Sequence, residues 1–353
     1  LLQRIDNNSS IPQFYTNFIK KLKTPREIFK SLPQTGTCLF LQRGVTPIPV
    51  SPYYNRNSRY FGVRKVGLVM KDCRGFAVCG GDKRQLYAAR ALAKDGYDVA
   101  LWGLQDDRMQ LPTLPMESLL RQCDCFLLPM PVTVDGTTLF APESSLPLSL
   151  TDGLAVRLAG KRVFAGMASR LVQADVRWKQ VEVQDYGTSE QFAIPNGWLT
   201  AEGALALAIS HSPKTIWKSR CLVTGYGRIG RVLAKLLRDL GAEVWVAVRN
   251  PTVFTQIHCD GYHALFLEQL SAETSFDFIF NTIPSPIFTK RLLAHLPIDC
   301  TAMELASAPF GFDFAAAERL GVSVIKGSGL PGRFSPQRAG EITKETILTM
   351  LKE

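Results

Sequence analysis

The sequence is poor in histidine and has none of the cysteine spacings that bind zinc. It holds four histidines and eight cysteines in 353 residues, and no C-x-x-C pair occurs. The sequence therefore predicts no metal site. Scattered cysteines inside apolar runs predict free thiols and a reducing, cytoplasmic compartment. Cys123 and Cys125 form a C-x-C ahead of an apolar run; we interpret them as core residues, with a redox or metal role as the alternative.

Long apolar runs are missing too. No run approaches the roughly 18 residues that a membrane-spanning helix needs, and no signal-peptide core is present. The sequence predicts neither a membrane span nor secretion.

An excess of positive charge is confined to the first part of the chain. Residues 1–71 hold 12 Lys and Arg against Asp6 and Glu27, whereas the other 282 residues hold 29 basic and 29 acidic side chains. The pI of about 9.2 therefore belongs to the N-terminal segment. The neutral remainder gives no reason to expect nucleic acid as a partner.

Residues 1–69 show no clear hydrophobic period, contain six prolines, and precede the first methionine, Met70. We predict that they form a disordered extension or translated upstream sequence, not a folded module. A basic arm that docks on an acidic partner or a membrane surface is the alternative.

From Gly75 onward, short apolar runs alternate with helical periodicity, which predicts repeated β-α units and parallel sheets. The fold class is α/β, with two Rossmann-like doubly wound domains and an interdomain cleft. We place a substrate and catalytic domain at 70–198, a dinucleotide-binding domain at 199–335 and a C-terminal helix at 336–353. A helix over 199–211 is the predicted hinge. The predicted strands are 75–79, 97–101, 124–128, 161–165 and 181–185, then 220–224, 243–248, 276–281, 299–304 and 322–325.

The second domain begins with a glycine-rich loop. Gly225-Tyr226-Gly227-Arg228-Ile229-Gly230 follows an apolar strand and opens a helix. In this context G-x-G-x-x-G predicts a dinucleotide site, with the second glycine leaving room for the pyrophosphate and helix amides facing it.

The end of the next strand bears on the choice of cofactor. NAD enzymes usually place an acid there, but this chain has Arg249, 19 residues beyond Gly230. A guanidinium can bind a 2′-phosphate, which favours NADP; stacking of Arg249 on adenine would leave NAD possible. Asn250 is either a cofactor contact or the cap of the following helix.

Three later loops should face the same cofactor, because ligands lie at the carboxyl ends of strands in open α/β sheets. They contain Asn281-Thr282-Ile283-Pro284, Glu304-Leu305-Ala306-Ser307 and Gly327–Gly332. As a set they predict the nicotinamide end of the cleft.

The first domain offers charged loops for a substrate. Lys83 and Arg84 follow Gly80-Gly81-Asp82 and are candidate contacts for a small dicarboxylate, while Asp82 is a candidate helix cap. Thr133 and Asn196 complete the predicted substrate contacts. Candidate bases are Asp135 and Glu202, although Glu202 is equally explained as an acid in a first helical turn.

Several motifs in order resemble the family of dipicolinate synthase A subunits from about Met70 to the C-terminus. They are Gly80-Gly81-Asp82-x-Arg84-Gln85, Leu128-Pro129-x-Pro131-x-Thr133-x-Asp135-Gly136, Ile194-Pro195-Asn196 with Ala201-Glu202-Gly203, the glycine loop, Asn281-Thr282-Ile283-Pro284, Glu304-Leu305-Ala306-Ser307 and Gly329-Leu330-Pro331-Gly332. Phe310 departs from the pattern, which has glycine there.

The resemblance implies a cytoplasmic sporulation enzyme that oxidises a dihydrodipicolinate-level intermediate to dipicolinate and passes a hydride to NAD(P)+. It also implies a partner, the flavoprotein-like B subunit of dipicolinate synthase, and we expect a homo-oligomer. Two alternatives stay open. One is another two-domain dehydrogenase of the hydroxyacid kind, although no cleft histidine or lysine is evident; the other is a non-catalytic NAD(P)-sensing subunit.

Overall fold

A computed structural model describes Cys73 and residues 75–353. These residues belong to one compact unit, Arg64–Glu353. The predictions made for residues 1–69 fall outside the described part of the chain. The described unit contains two parallel sheets, each with buried side chains on both faces, which is how helix-covered parallel sheets bury their strands.

The first sheet has five strands in the order β2-β1-β3-β4-β5. All neighbouring strands are parallel. Its strands are β1 (Gly75–Cys79), β2 (Asp98–Trp102), β3 (Cys125–Leu127), β4 (Arg162–Ala165) and β5 (Val183–Asp185). Its helices are α1 (Lys83–Lys94), α2 (Met116–Gln122), α3 (Leu154–Arg157) and α4 (Ser169–Ala174).

The second sheet has six parallel strands in the order β11-β10-β9-β6-β7-β8, which is the Rossmann order. Its strands are β6 (Arg220–Thr224), β7 (Glu243–Val248), β8 (His263–Phe266), β9 (Phe278–Asn281), β10 (Thr301–Glu304) and β11 (Ser323–Lys326). A long helix, α5 (Glu190–His211), precedes this sheet. The later helices are α6 (Arg228–Asp239), α7 (Pro251–Cys259), α8 (Lys290–Leu293), α9 (Phe314–Leu320), α10 (Leu330–Phe334) and α11 (Pro336–Met350).

The predicted α/β class with two doubly wound halves is confirmed. All ten predicted strands are present, with shifts of at most two residues at their ends. Strand β8 was missed because it is a short edge strand whose side chains stay partly exposed, and such a strand has little apolar alternation to detect.

The helix predicted at 199–211 begins much earlier, at Glu190. Pro195 lies inside it, although a proline within a helix removes an intrahelical hydrogen bond. Phe192 and Leu199 anchor the helix in the core of the first half, whereas Ala204 and Leu207 belong to the core of the second. We call α5 the bridging helix; the predicted domain boundary at 198/199 lies inside it.

The C-terminal helix α11 packs against α1 of the first half. Ala339, Ile342 and Ile347 join the core formed by β1 and α1. Gly340 makes the close approach possible, because a Cβ there would lie 2.5 Å from the Arg84 carbonyl oxygen. The chain therefore returns to its first sheet after completing the second.

The expectation that every cysteine is a free thiol is wrong for one pair. Cys73 and Cys125 are joined by a disulfide, with their Cα atoms 6.5 Å apart. Parallel pairing of β1 with β3 brings the two together. Five described cysteines remain free, and Cys123 is buried as predicted. Among the described residues, no helix combines the length and apolarity needed to cross a bilayer.

Candidate cofactor and substrate cleft

The candidate site lies where the strand order of each sheet reverses. In the first sheet β1 and β3 are neighbours, and in the second β6 and β9 are neighbours. Chain connections leave such a pair in opposite directions and open a crevice at the carboxyl ends of the strands, which is where open α/β sheets bind ligands. The glycine loop follows β6, and the charged Asp82–Arg84 turn follows β1.

Two glycines of the loop are required by the backbone itself. Gly225 has φ +92°, and a Cβ there would lie 2.5 Å from the Thr282 hydroxyl oxygen. A Cβ on Gly230 would lie 2.1 Å from the Gly225 carbonyl oxygen. The tight turn and the close helix–strand contact that this motif requires of its first and third glycines are both present.

Gly227 differs from both. Its backbone is extended, with φ −88° and ψ −156°, so any residue could adopt it. A Cβ at Gly227 would meet no protein atom within 4 Å. The protein interior therefore gives no reason for glycine at this exposed position, whereas a ligand lying against the backbone would.

Helix α6 begins directly after Gly227, and no side chain caps its first amides. Those amides, together with the helix dipole, favour an anion at this end. Tyr226 makes no such contact through its side chain, because its hydroxyl donates to Asp260 at 2.7 Å and the ring is buried. Only the backbone of Tyr226 contributes to the loop.

Behind the loop lies a buried polar network that the sequence did not predict. Glu304, only 2% exposed, accepts hydrogen bonds from Asn281 Nδ2 at 2.6 Å and from the Gly311 amide at 2.6 Å. The amides of Ala306 and Phe312 also donate to it, each at 3.0 Å. Four donors thus satisfy a carboxylate that burial would otherwise penalise.

This network joins three loops at the carboxyl edge of the second sheet. The Thr224 hydroxyl donates to Asn281 Oδ1 at 2.5 Å, and the Thr282 hydroxyl donates to the Thr224 carbonyl at 2.7 Å. Ile283 packs on Gly225, while Pro284 is exposed. In the sequence, the signal for this network was the amide Asn281 and the acid Glu304 at the ends of two predicted strands.

Ser307 and Phe310 belong to a turn beside the network. The Phe310 amide donates to the Ser307 carbonyl at 3.0 Å, and Ser307 is exposed. Phe310 has φ +66°, a left-handed conformation that favours glycine. The sequence departure noted at Phe310 therefore falls on a residue whose backbone conformation suits glycine.

Arg249 lies at the carboxyl end of β7, as predicted, and is exposed. Its Nη2 donates to the Ser285 hydroxyl at 3.4 Å, and the side chain makes no other hydrogen bond to the described residues. Asn250 caps α7 instead, accepting from the Thr252 amide at 2.8 Å. The side-chain oxygen of Asn250 is therefore used to cap the helix, which favours the capping interpretation over a cofactor contact through that atom.

A cavity of about 270 Å³ lies between the glycine loop and the bridging helix, and we call it the cleft. Asn196 of the bridging helix lines it together with Gly227 and Thr282. Its lining residues are Met130, Gly187, Phe192, Ala193, Asn196, Gly197, Gly227, Arg228, Ile229 and Thr282. All four histidines are described, and none lines the cleft.

One ion pair spans the cleft mouth. Arg228 Nε donates to Glu190 Oε2 at 2.9 Å, and Nη2 contacts the other oxygen. Both side chains are more than half exposed, so the pair contributes little to stability. Hydrogen bonding to Arg228 lowers the pKa of Glu190, which keeps Glu190 ionised.

Arg84 lies at the first-sheet end of the same region. A second cavity wall contains Arg84, Met130, Phe192 and Asn196, and the last three also line the cleft. Arg84 is paired with Asp82, Nε to Oδ1 at 2.9 Å, and Nη2 donates to the Met130 carbonyl at 2.7 Å. Arg84 and Asn196 are therefore the predicted substrate residues that the structure brings together.

Lys83 and Thr133 are not placed as predicted. Lys83 is exposed and lines a different pocket, with Asp106, Asp107 and Glu143; successive helix residues point about 100° apart, so it diverges from Arg84. Thr133 is 2% exposed, and its hydroxyl accepts from the Gly136 amide at 3.0 Å. Neither residue faces the cleft.

The two candidate bases also lie outside the cleft lining. Asp135 accepts from the Thr138 hydroxyl at 2.5 Å and from the Thr137 and Thr138 amides at 2.8 Å. These bonds, the Thr138 hydroxyl first, hold the pKa of Asp135 well below its ordinary range, which suits a loop-ordering carboxylate and not a base. Glu202 is exposed in the middle of the bridging helix, so its first-turn interpretation is wrong.

Comparisons with known proteins agree with this architecture. Residues 75–186 match the family model that describes the N-terminal domain of the dipicolinate synthase A subunit. The dipicolinate synthase A subunit of Bacillus subtilis is 30% identical over 292 residues, covering 78% of this chain and 95% of that protein. The chain belongs to the family of dipicolinate synthase A subunits.

Solved structures of the family have the same fold. The crystal structure of the dipicolinate synthase A subunit from Bacillus halodurans has a TM-score of 0.72 at 27% identity, covering 79% of this chain and 98% of that one. The corresponding Bacillus subtilis structure gives 0.70 at 29% identity, covering 79% and 95%. A transhydrogenase from Sinorhizobium meliloti shares the fold alone, with a TM-score of 0.55 at 13% identity over 78% of this chain and 93% of that one.

Proposed function

We propose that this family member is an NAD(P)-dependent oxidoreductase that converts a dihydrodipicolinate-level dicarboxylate to dipicolinate during sporulation. The observation that carries the proposal is the cleft itself. A Cβ on Gly227 would meet no protein atom within 4 Å, and Gly227 and Asn196 of the bridging helix line the same cavity, so the glycine loop and a candidate substrate residue border one space. The product is the compound that the relatives' names contain.

The residues present fit a dinucleotide. The uncapped amides at the start of α6 and the open face of Gly227 would hold the pyrophosphate. Thr282 and Ile229 would border the nicotinamide. When bound, the cofactor supplies the hydride acceptor for the reaction.

Aromatising a dihydropyridine ring removes one hydride and one proton from the substrate. We propose that Asn196 and Arg84, which line the same small cavity, hold and orient the dicarboxylate. No carboxylate or histidine lines the cleft within the described residues. We infer that the proton passes to solvent, since formation of the aromatic ring makes its loss favourable.

Arg249 supports NADP over NAD as the cofactor. The side chain stands at the strand end where NAD enzymes carry an acid. Its guanidinium is exposed, with a single 3.4 Å contact to Ser285 among the described residues. An acid in this place would repel a 2′-phosphate, whereas a guanidinium binds one through paired hydrogen bonds.

The test is a titration of the full chain with NADPH and NADH, monitored by nicotinamide fluorescence. We expect tighter binding of NADPH, and an Arg249→Asp variant should lose about 10- to 100-fold of NADPH affinity with little change for NADH. Arg291→Asp, an exposed change on α8, is the matched control and should bind both as wild type does. Binding of neither nucleotide by the wild type would overturn the proposal.

The relatives' names describe them as one of two or more kinds of subunit, which supports a second subunit for this chain too. We propose that the partner is the flavoprotein-like B subunit of dipicolinate synthase and that this chain forms a homo-oligomer. Dipicolinate formation by the isolated chain would show that it is catalytic without a partner. Dipicolinate formed only in the presence of the second protein would show that the partner is required for turnover.

A further inference from the structure

Arg84 is held in one orientation by two groups, the Asp82 carboxylate and the Met130 carbonyl. Asp82 grips it side-on, with Nε to Oδ1 at 2.9 Å and Nη2 to Oδ2 at 2.9 Å. The Met130 carbonyl accepts from Nη2 at 2.7 Å. Nη1 has no hydrogen bond to any described residue. These hydrogen bonds fix the Nε and Nη2 groups of the guanidinium and leave Nη1 able to donate to a ligand.

The surroundings of the pair are close-packed on the other side. Gly332, in helix α10, covers it, since a Cβ there would lie 3.0 Å from Arg84 Nε and 3.1 Å from Asp82 Oδ2. Arg84 and Asp82 side chains are 17% and 23% exposed. Arg84 and Asp82 also line a small cavity of about 10 Å³. Met130, Phe192 and Asn196 line both this cavity and the cleft.

We propose that Asp82 is a positioning residue that presents Arg84 Nη1 to one carboxylate of the substrate. The inference rests on the proposed function, because it supplies the anchor for a dicarboxylate in that cleft. An unrestrained arginine must lose rotamer freedom when it binds a ligand, which weakens binding by about 2- to 12-fold. Asp82 removes that loss in advance, and Gly332 prevents the pair from swinging outward.

Simple electrostatics predicts the opposite effect for Asp82. A carboxylate beside an anion-binding arginine should repel the anion, so its removal should strengthen binding. Asp82, however, is already neutralised by Arg84 and accepts the Arg84 amide at 2.9 Å. The positioning role and the repulsive role therefore predict changes of opposite sign.

The chain contains a matched control for the local motif. Asp175 accepts from the Arg177 amide at 2.9 Å, pairs with Arg177 Nε at 2.8 Å, and Arg177 Nη2 donates to a backbone carbonyl, that of Thr151. The same Asp-x-Arg arrangement thus occurs away from the cleft, with the Arg177 side chain 46% exposed and the Asp175 side chain 9% exposed. A purely structural role for the motif would make the two sites respond alike.

The experiment compares Asp82→Ser with Asp175→Ser in the full chain. Serine keeps helix-capping ability at both sites, and thermal unfolding verifies folding. The probe is pyridine-2,6-dicarboxylate in metal-free buffer, with affinity measured by calorimetry. We expect Asp82→Ser to bind it about 2- to 12-fold more weakly and Asp175→Ser to bind as wild type does. Asp82→Asn is the second variant if serine disturbs folding, with the same direction expected.

A double variant tests whether Asp82 acts on dicarboxylate binding through Arg84. In an Arg84→Ala background, Asp82→Ser should change dicarboxylate affinity no further. Tighter or unchanged binding by Asp82→Ser, or no dicarboxylate binding by the wild type, would overturn the inference. NADPH titration of the same proteins tests the proposed function separately, since Asp82 lies at the other end of the cavity and should leave NADPH affinity unchanged.

Discussion

The second glycine of the loop provides the sharpest test of the cofactor site. At Gly227 the backbone suits any residue, and an added Cβ would meet no protein atom within 4 Å. Gly227→Ala should therefore fold normally and gain about 0.4–1 kcal/mol from the reduced freedom of the unfolded chain. The same methyl would occupy the space that a pyrophosphate needs.

The expected cost to binding follows from the cost of overpacking. Forcing a methyl group into a filled contact costs about 1–3 kcal/mol, which is about a 5- to 150-fold loss of nucleotide affinity. Gly230→Ala is the contrasting variant, because its Cβ would lie 2.1 Å from the Gly225 carbonyl oxygen. It should lose stability as well as binding, with the melting temperature falling by about 2–4 °C for each kcal/mol.

The assay pairs thermal unfolding without ligand with nicotinamide fluorescence titration. Gly227→Ala should separate the two readouts, and Gly230→Ala should lower both. A Gly227→Ala protein that melts like wild type and binds NADPH equally well would refute the reasoning, since the open face of Gly227 would then have no ligand to accommodate.

Three further predictions concern stability. Glu304→Gln should destabilise the fold by about 2–4 kcal/mol in urea unfolding, because an amide donor would face the Gly311 and Phe312 amides that now donate to the carboxylate. Phe310→Gly should be more stable than Phe310→Ala by about 1 kcal/mol in thermal unfolding, because only glycine relieves φ +66°. Asp135→Asn should reduce stability at neutral pH and converge with wild type in strong acid. The pKa of Asp135 is lowered on folding, so its contribution is complete above its ordinary pKa of 3.8 and declines as pH falls toward the folded-state pKa.

Each of these has a clear contrary result. Equal unfolding free energies for Glu304→Gln and wild type would show that the loops do not depend on the carboxylate. Equal melting of the two Phe310 variants would show that the left-handed conformation carries no penalty. A stability difference for Asp135→Asn that stays constant from neutral pH to strong acid would contradict the lowered pKa. A large loss of kcat in that variant would instead restore Asp135 as a base.

Much of the fold was predictable from the chain because its signals are local. Apolar strands, helix periods and the glycine turn each depend on a few neighbouring residues, so β1, β6 and β7 were predicted to the residue. The roles of Gly225 and Gly230 likewise follow from backbone conformation and a nearby strand. Arg249 was locatable because the strand after a glycine loop arrives at a regular distance.

The site required more than local information. Lys83 and Arg84 are adjacent, yet only Arg84 lines the cavity that shares Asn196 with the cleft. The orientation of Arg84 depends on Met130 and Gly332, which come from distant segments. Asp135 and Thr133 had the right chemistry for a ligand but use it to order their own loop. Whether a polar side chain serves a ligand or its own backbone depends on which donors the folded chain brings near.

The sequence by itself determined two α/β halves, a dinucleotide loop and the strand ends at which ligands would gather. Only the tertiary structure decided how the halves combine: a helix that continues through Pro195, a C-terminal helix that returns to α1, and a buried Glu304 that joins three loops. The physical reason is that turn and strand preferences act between neighbours. The burial that overrides a proline or satisfies a carboxylate exists only after segments far apart in the chain have packed together.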